Sequence, residues 1–393
     1  MIIFASDFEN FSFGVNSFLV CKRIKILKVS KHKGMQKGRL KSRVFASAVF
    51  VILITAFICV YMTLSPFQAF ASEKNVNADI VALENELEDP VPPENVAEEK
   101  KNFIRWIDLN ADGKTLKAVL KLCKDYREKG AGPDFCEVLA YLATKNGNNF
   151  SAQEGMAATL KKLRAHLDTG GAVADVYKEN KYYKYYVESY HAIFDGLIGN
   201  FHRGDSENIE YGVKGFFPLA GGFWHNHYDD FGSKRTYGYK RRHLGHDMMG
   251  AVGTPIIACE GGTVTELGWN RYGGWRVGIR SHDQKRYYYY AHLRKDKPYP
   301  SALKPGDTVK TGQVVGFLGH TGYSVKENVN LKTGEPHLHL GLQIIFDPSQ
   351  EKGAKEIWVD LYGITNFLAS DRAKVVKNPD TQEWNSESIK YPV

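Results

Sequence analysis

After Gly212 the chain is written in short β-prone runs separated by glycine turns, and this texture limits the fold more than any other feature. "GTPIIACEGGTVTELGW", "WRVGIRSHDQKRYYYYAHL" and "KPGDTVKTGQVVGFLG" follow one another with no helical stretch between them. Trp275 to His292 reads as a hairpin, two alternating strands around the polar turn Ser281-His282-Asp283-Gln284. Strands at short spacing without intervening helices predict an antiparallel β domain of about 150 residues, placed at 213–370 and followed by a C-terminal tail, 371–393.

Upstream the pattern is helical, over 96–205. "NVAEEKKNFIRWIDLN", "DGKTLKAVLKLCKDYREKG" and "SAQEGMAATLKKLRAHLDTGG" carry apolar residues at helical spacing, and the last two stop at glycines. "KYYKYYVESYHAIFDGLIGNF", Lys181 to Phe201, predicts the last helix, its tyrosines packing between helices. No catalytic constellation stands out in this block, which reads as a spacer or adaptor. The chain is thus expected to be α+β.

The formal charge of +8 suggests nucleic-acid binding until its position is considered. Residues 1–43 hold ten Lys/Arg against Asp7 and Glu9, which accounts for the whole excess and leaves the rest of the chain neutral. This basic tail precedes "VFASAVFVILITAFICVYMTL", Val44 to Leu64, within an apolar segment at 44–66. Roughly 20 helical residues cross a bilayer, and basic residues before the run predict an inside N-terminus and an exported body. The run either stays as a single-pass membrane anchor or is a signal peptide cut after Ala71, in "AFAS". Met35 offers an alternative start. An acidic, proline-bearing linker follows at 72–95. Nucleic acid is therefore not an expected partner, and the oligomeric state is open. Of five cysteines, Cys21 and Cys59 fall in the leader. Cys123, Cys136 and Cys259 show no zinc-binding spacing, and a Cys123–Cys136 disulfide is the one pairing considered.

Two short stretches carry candidate chemistry. In "TGEPHLHLGL" His337 and His339 stand at i, i+2, on one face of a strand. In "RRHLGHDMMG" His243 and Asp247 are four apart, and in an extended segment that even spacing also gives one side. His243, Asp247 and one histidine of the later pair would supply three N/O ligands to zinc and leave a fourth position for water, as catalytic zinc sites do. His246 would then point away, toward the layer behind the ligands or toward the surface. "FWHNHYDD", with His225 and His227, reads as a groove-wall loop or an alternative metal site, and His320 in "GHTG" is a further imidazole.

Residues 215–345 resemble the lysostaphin/LytM-type zinc metallopeptidases, which cut peptide bonds in bacterial peptidoglycan. The resemblance is carried by "HLGHD", "GAVGTPIIACEGGTV", "YYYYAHL", "LKPGDTVKTGQVVGFLGHTG" and "PHLHL", in that order. It implies a barrel-sandwich-like β fold (a duplicated hybrid motif) and an exported metalloendopeptidase hydrolysing cross-links or stem peptides with metal-activated water. Zn2+ is the implied cofactor, held by His243, Asp247 and His339, with His292 and His337 as the unligated catalytic pair. Tyr288 and Tyr290 share the parity of His292 and either line the cleft or pack the core. Two departures bear on substrate fit: Leu340-Gly341 where the family commonly has Phe-Glu, and an extra polar segment from Val325 to Lys332. A non-catalytic envelope scaffold is the alternative, although such relatives normally lose a ligand or a catalytic histidine. A biotinyl/lipoyl-like carrier, which shares the "KPGDTVKTGQVVG" hairpin, lacks its attachment lysine here.

Overall fold

The computed structural model describes residues 103–393 apart from 152, 236–240 and 354. The basic tail, the apolar run Val44–Leu64 and the acidic linker lie outside the described residues. Among those described, no helix is long and apolar enough to cross a membrane.

Helix α1, Gly113–Arg127, starts where the Asp112 carboxylate accepts the Thr115 N–H at 2.7 Å, and it buries Leu116, Val119, Leu122 and Cys123 along one stripe. Helix α2, Phe135–Asn146, is capped by Asp134 and stops at Gly147, whose φ of 59° lies in the left-handed region. Eight of its residues are buried, from Phe135 to Ala143, so it has no polar face to betray a helical period. Its apolar period is therefore faint, although Asp134 and Gly147 mark its two ends. Helices α3, Gln153–Asp168, α4, Val173–Tyr177, and α5, Lys181–Phe194, complete the block. Tyr183 and Tyr190 of α5 are buried among its neighbours, in keeping with the packing role of the tyrosines.

Two helical expectations are corrected. Residues 103–110 are not helical. Their carbonyls serve other segments instead: Ile104 O accepts from Gln350 Nε2 at 2.8 Å and Trp106 O from Tyr185 Oη at 3.2 Å. The last helix ends at Phe194 rather than Phe201. Gly196 passes so close to the Glu260 carboxylate that a Cβ would collide with it, and the chain leaves the helix there.

Strand β1, Ile198–Arg203, pairs on one side with β2, Glu210–Val213. The strands that follow are β3 (His225–His227), β4 (Lys234–Arg235), β5 (Arg241–Arg242), β6 (His246–Gly250) and β7 (Pro255–Ile257). After them come β8 (Gly262–Asn270), β9 (Gly274–Ser281), β10 (Arg286–Ala291), β11 (Thr308–Val309), β12 (Val314–Phe317) and β13 (His337–Ile344). Strand β14 (Ile357–Trp358), helix α6 (Tyr362–Leu368) and strands β15 (Val375–Lys377), β16 (Trp384–Ser386) and β17 (Lys390–Pro392) close the chain. An antiparallel sheet in the order β11-β8-β9-β10-β13-β6-β3, with β14 added against β13, is the framework of the β region. The hairpin expected over Trp275–His292 is β9–β10. The expected tail, 371–393, contains three short strands: β15 pairs with β16, β17 pairs with the other side of β1, and Lys390 Nζ sits buried against Asp371 Oδ1 at 3.0 Å.

One hydrophobic core joins helices and sheet. Leu338, Leu340, Leu342 and Ile344 of β13 alternate into it, each worth about 2 kcal/mol of burial. Leu340 and Leu342 meet Leu361, Ile364 and Leu368 at helix α6, which in turn packs on α1. The opposite face of β13 is left for chemistry.

Candidate metal centre

The register of β13 decides which side chains share that outer face. His339 stands opposite Asp247 on β6 and opposite Ala291 on β10, while His337 stands opposite Met249. Cross-strand partners project to the same side, so Asp247, His337 and His339 share one face with Tyr289, and Leu338, Leu340, His246 and Met248 share the other.

His243, in the turn before β6, completes a triangle. Its Nε2 lies 2.9 Å from His339 Nδ1 and 3.1 Å from Asp247 Oδ1, and His339 Nδ1 lies 3.0 Å from the same oxygen. Two imidazole nitrogens and one carboxylate oxygen are the donor set of a catalytic zinc site. Tetrahedral bonds of about 2.0–2.1 Å place ligand atoms about 3.3 Å apart, close to the observed spacing. The surroundings fit the same purpose. A Cβ on Gly245 would fall 2.5 Å from His339 Nε2 and 2.8 Å from Leu340 O, so only glycine lets the His339 ring lie across the turn. The residues present therefore fit a zinc ion.

Two residues that the sequence reading passed over hold this triangle from behind. Asp230 Oδ2 lies 3.1 Å from His243 Nδ1, the nitrogen facing away from the triangle. Arg235 Nη2 donates to Asp230 Oδ2 at 2.8 Å and to Asp247 Oδ2 at 2.9 Å, tying the free oxygen of the ligand carboxylate to the same clamp. His246 is fully buried, with Nδ1 3.7 Å from Asp230 Oδ1 and Nε2 2.9 Å from His227 Nδ1. It is thus in the layer behind the ligands and not at the surface. The "HNHYDD" segment is strand β3 and its turn; it supports His243 through Asp230, and His225 packs on Phe217.

The electrostatics follow from this packing. Burial alone would push the Asp247 carboxyl up, but hydrogen bonds from His243 and His339 hold it far below the usual range. Burial would lower His243, yet Asp230 and Asp247 together raise it to about 9. Burial dominates at His339 and lowers it.

His292 reaches the same site by a backbone exception. Strand β10 ends at Ala291, and His292 has φ of 59°, a left-handed value that turns its ring out of the strand's alternation. Tyr288 and Tyr290 accordingly do not line the cleft: both are buried, Tyr288 donating to Glu260 Oε2 at 2.9 Å and Tyr290 Oη accepting the Cys259 N–H at 3.0 Å. Tyr289 is the tyrosine on the site's face, its ring 6.0 Å from that of His339. The His292 ring lies 4.7 Å from His337 and 5.9 Å from His339. His292 Nδ1 faces Thr321 O at 2.7 Å and His337 Nδ1 faces Glu335 O at 2.7 Å. A carbonyl can only accept, so each neutral ring carries its proton on Nδ1 and leaves Nε2 as a base. Burial, reinforced by His337 and His339, pushes His292 well below the ordinary histidine range and keeps it neutral.

The departures noted in the sequence also find causes. A Cβ at Gly341 would fall 2.6 Å from the Trp358 indole, which covers β13 there, and Leu340 belongs to the core face. The segment from Val325 to Lys332 docks on β9 and on the chain after β10, where Asn328 Oδ1 accepts from Trp275 Nε1 and from the Asp296 N–H, both at 2.9 Å. Cys123, Cys136 and Cys259 are free and buried, so the Cys123–Cys136 disulfide is absent. Among the described residues one other group, Asp134, Cys136 and His191, brings ligand atoms within 4.8 Å of one another. There Asp195 Oδ1, 2.8 Å from His191 Nδ1, raises the imidazole, and Asp134 faces its other nitrogen at 3.5 Å, an arrangement that an imidazolium between two carboxylates satisfies.

Residues 241–351 match Peptidase family M23. The chain is 36% identical over 126 residues to the L-Ala–D-Glu endopeptidase of Bacillus subtilis (strain 168), covering 32% of this chain and 37% of that protein. It is 36% identical over 125 residues to the glycyl-glycine endopeptidase ALE-1 of Staphylococcus capitis, 30% of this chain and 29% of that protein. To the peptidoglycan DD-endopeptidase ShyC of Vibrio cholerae serotype O1 it is 35% identical over 102 residues, 26% and 20%. The chain spans between 20% and 37% of the length of these relatives. On these matches residues 241–351 are a domain of Peptidase family M23, of the LytM and lysostaphin type.

Proposed function

We propose that the protein is an exported zinc metalloendopeptidase that hydrolyses peptide bonds in peptidoglycan, held at the membrane by Val44–Leu64 or released after Ala71. The observation that carries this reading is the closed triangle of His243 Nε2, Asp247 Oδ1 and His339 Nδ1 beside two imidazoles that each present a bare Nε2. Zinc held by the triangle would supply a Lewis acid that polarises a scissile carbonyl and acidifies water. His292, kept neutral by burial, accepts the proton of the attacking water at Nε2. His337, on the same strand face as His339, presents a second bare Nε2 that accepts a hydrogen bond from the attacking water and orients it. The proton taken up at His292 Nε2 passes from there to the leaving amine. Thr321 and Glu335 carbonyls keep both rings in the productive tautomer throughout. Peptidoglycan as substrate is supported by the named activities of the relatives, and export by the basic flank and apolar run of the leader.

The test uses the purified full-length chain. It is expected to bind about one zinc per chain and to release new amino groups from cell-wall sacculi. His339→Ala removes both, whereas His292→Ala removes cleavage and leaves zinc bound. Full zinc occupancy without cleavage of any wall type would instead identify a non-catalytic scaffold. Protease accessibility on intact cells and after lysis reports whether the body is exported.

A further inference from the structure

A rigid cationic wall borders the cleft on the His292 side. The turn at 270–273, between β8 and β9, is set by Asn270 Oδ1, which accepts the N–H groups of Tyr272 at 3.0 Å and Gly273 at 2.6 Å. Its carbonyls are tied to neighbouring segments: Gly273 O accepts the His292 N–H at 2.7 Å, Tyr272 O the Tyr323 N–H at 3.2 Å, and Arg271 O the Ser324 N–H at 2.9 Å. The same main-chain bonds that seat His292 therefore also seat Arg271 and Tyr272.

Two guanidinium groups converge on this wall. Arg271 lies 4.7 Å from the centre of the Tyr272 ring. Arg241, from β5, lies 5.9 Å from the same ring and 5.3 Å from that of Tyr323, whose hydroxyl accepts from Arg241 Nη2 at 2.5 Å. The Tyr323 ring is 5.7 Å from His292. Bringing two like charges to one aromatic ring costs electrostatic energy, which an anion between them would reverse. Among the described residues Arg271 forms no ion pair with a carboxylate, so its guanidinium is open to an anion of the substrate. Arginine presents a planar fork of N–H donors matched to a carboxylate, and the rings beneath hold that fork in place and exclude water.

We propose that Arg241 and Arg271, on their tyrosine platform, form a carboxylate-binding subsite of the peptide groove, so that the substrate is a stem peptide bearing a free carboxylate and not an uncharged glycine bridge. This inference rests on the peptidase reading above. The placement suits such a peptide. Ring contacts of 5.3 and 5.7 Å carry the path from Arg241 to His292, a distance that two or three extended residues cover at about 3.3 Å each. The carboxylate thus belongs to a residue a short way along the chain from the scissile bond. It fixes the register in which the carbonyl reaches the metal centre and touches none of the reacting atoms.

The experiment compares three synthetic substrates with the zinc-loaded full-length chain: a stem peptide with its glutamate carboxylate free, the same peptide amidated at that carboxylate, and pentaglycine. The free acid is expected to show a KM at least about tenfold below the amide, as charge-assisted hydrogen bonds allow, with pentaglycine poorer still. Arg271→Gln is expected to bring the KM values of acid and amide together, and Arg271→Lys to restore only part of the difference because it keeps the charge without the fork. Binding of fluorescently labelled acid and amide peptides to the His292→Asn variant gives the same comparison without turnover. Equal KM values for acid and amide, or undiminished discrimination in Arg271→Gln, would overturn the subsite while leaving the peptidase reading intact. Failure to cleave any substrate would count against the peptidase reading, and the binding comparison would still decide the subsite.

Discussion

Asp230 Oδ2 lies 3.1 Å from Nδ1 of His243, on the far side of the ring from the nitrogen that faces Asp247 and His339. A carboxylate in that position fixes which nitrogen is protonated and aims Nε2 at Asp247 and His339. Asp230→Asn keeps the shape and removes the charge. Above about pH 9, where the His243 ring is neutral and no proton competes, its zinc affinity is expected to fall about 10- to 100-fold, measured by competition with a chromophoric chelator. Unchanged affinity would show that Arg235 and the turn alone orient the ring.

Gly245 gives a steric test of the same centre. A side chain there meets His339 Nε2 at 2.5 Å and Leu340 O at 2.8 Å. Gly245→Ala is expected to displace the His339 ring and to abolish tight zinc binding, with a stability loss of about 1–3 kcal/mol in denaturant titration. Strand β13 is held between β10 and β6, so the sheet itself should survive in circular dichroism.

The left-handed backbone at His292 predicts a difference between two substitutions that both remove the imidazole. Asparagine tolerates φ of 59°, whereas a β-branched residue is strained there. His292→Asn should retain stability and zinc while losing cleavage. His292→Val should lose about 1–3 kcal/mol as well, read from thermal or urea unfolding.

Proton and metal compete for His243. Its folded value of about 9 lies above the unfolded value of about 6.5, so in the zinc-free protein its contribution to stability is complete below pH 6.5 and is lost as pH rises through about 9. Zinc needs the neutral ring, and apparent zinc affinity should therefore climb by about one decade per pH unit between 6.5 and 9, then level off. Chelator competition across that range measures the slope, and Asp230→Asn should move the plateau to lower pH.

Glu260 and Arg286 are both buried and paired at 2.8 Å, and Arg286 Nη1 also donates to Ala192 O at 2.9 Å, joining α5 to the sheet. Arg286→Met leaves the Glu260 charge without its partner and is expected to destabilise the protein by about 3–5 kcal/mol. The double variant Arg286→Met/Glu260→Gln should recover part of that loss in the same unfolding assay.

Local periodicity carried much of the site. His337 and His339 at i, i+2 lie on one strand face whatever surrounds them, and the His243–Asp247 spacing with Gly245 between them encodes a turn that a ring can cross. The β9–β10 hairpin was equally readable, because its alternation and polar turn are contiguous. Parity alone left Tyr288 and Tyr290 either in the cleft or in the core; the left-handed residue His292 breaks the alternation, so both tyrosines pack the core and Tyr289 takes the site's face. Periodicity failed at α2, which is buried on nearly every side, and again after Phe194, where contact with Glu260 ends a helix that its own residues would continue.

The chain's local order is enough to specify the β9–β10 hairpin and the pairs His337/His339 and His243/Asp247, since each depends on spacing within a few residues. The candidate roles of His292 and of each histidine in the later pair come instead from the resemblance of five ordered motifs to the lysostaphin/LytM-type peptidases. What the tertiary structure adds is everything that depends on distant segments meeting: Asp230 and Arg235 behind the ligands, the carbonyls of Thr321 and Glu335 that choose the tautomers, and the two arginines gathered on Tyr272. Those contacts arise from packing between elements far apart in sequence, and no period along the chain can encode a neighbour that only folding supplies.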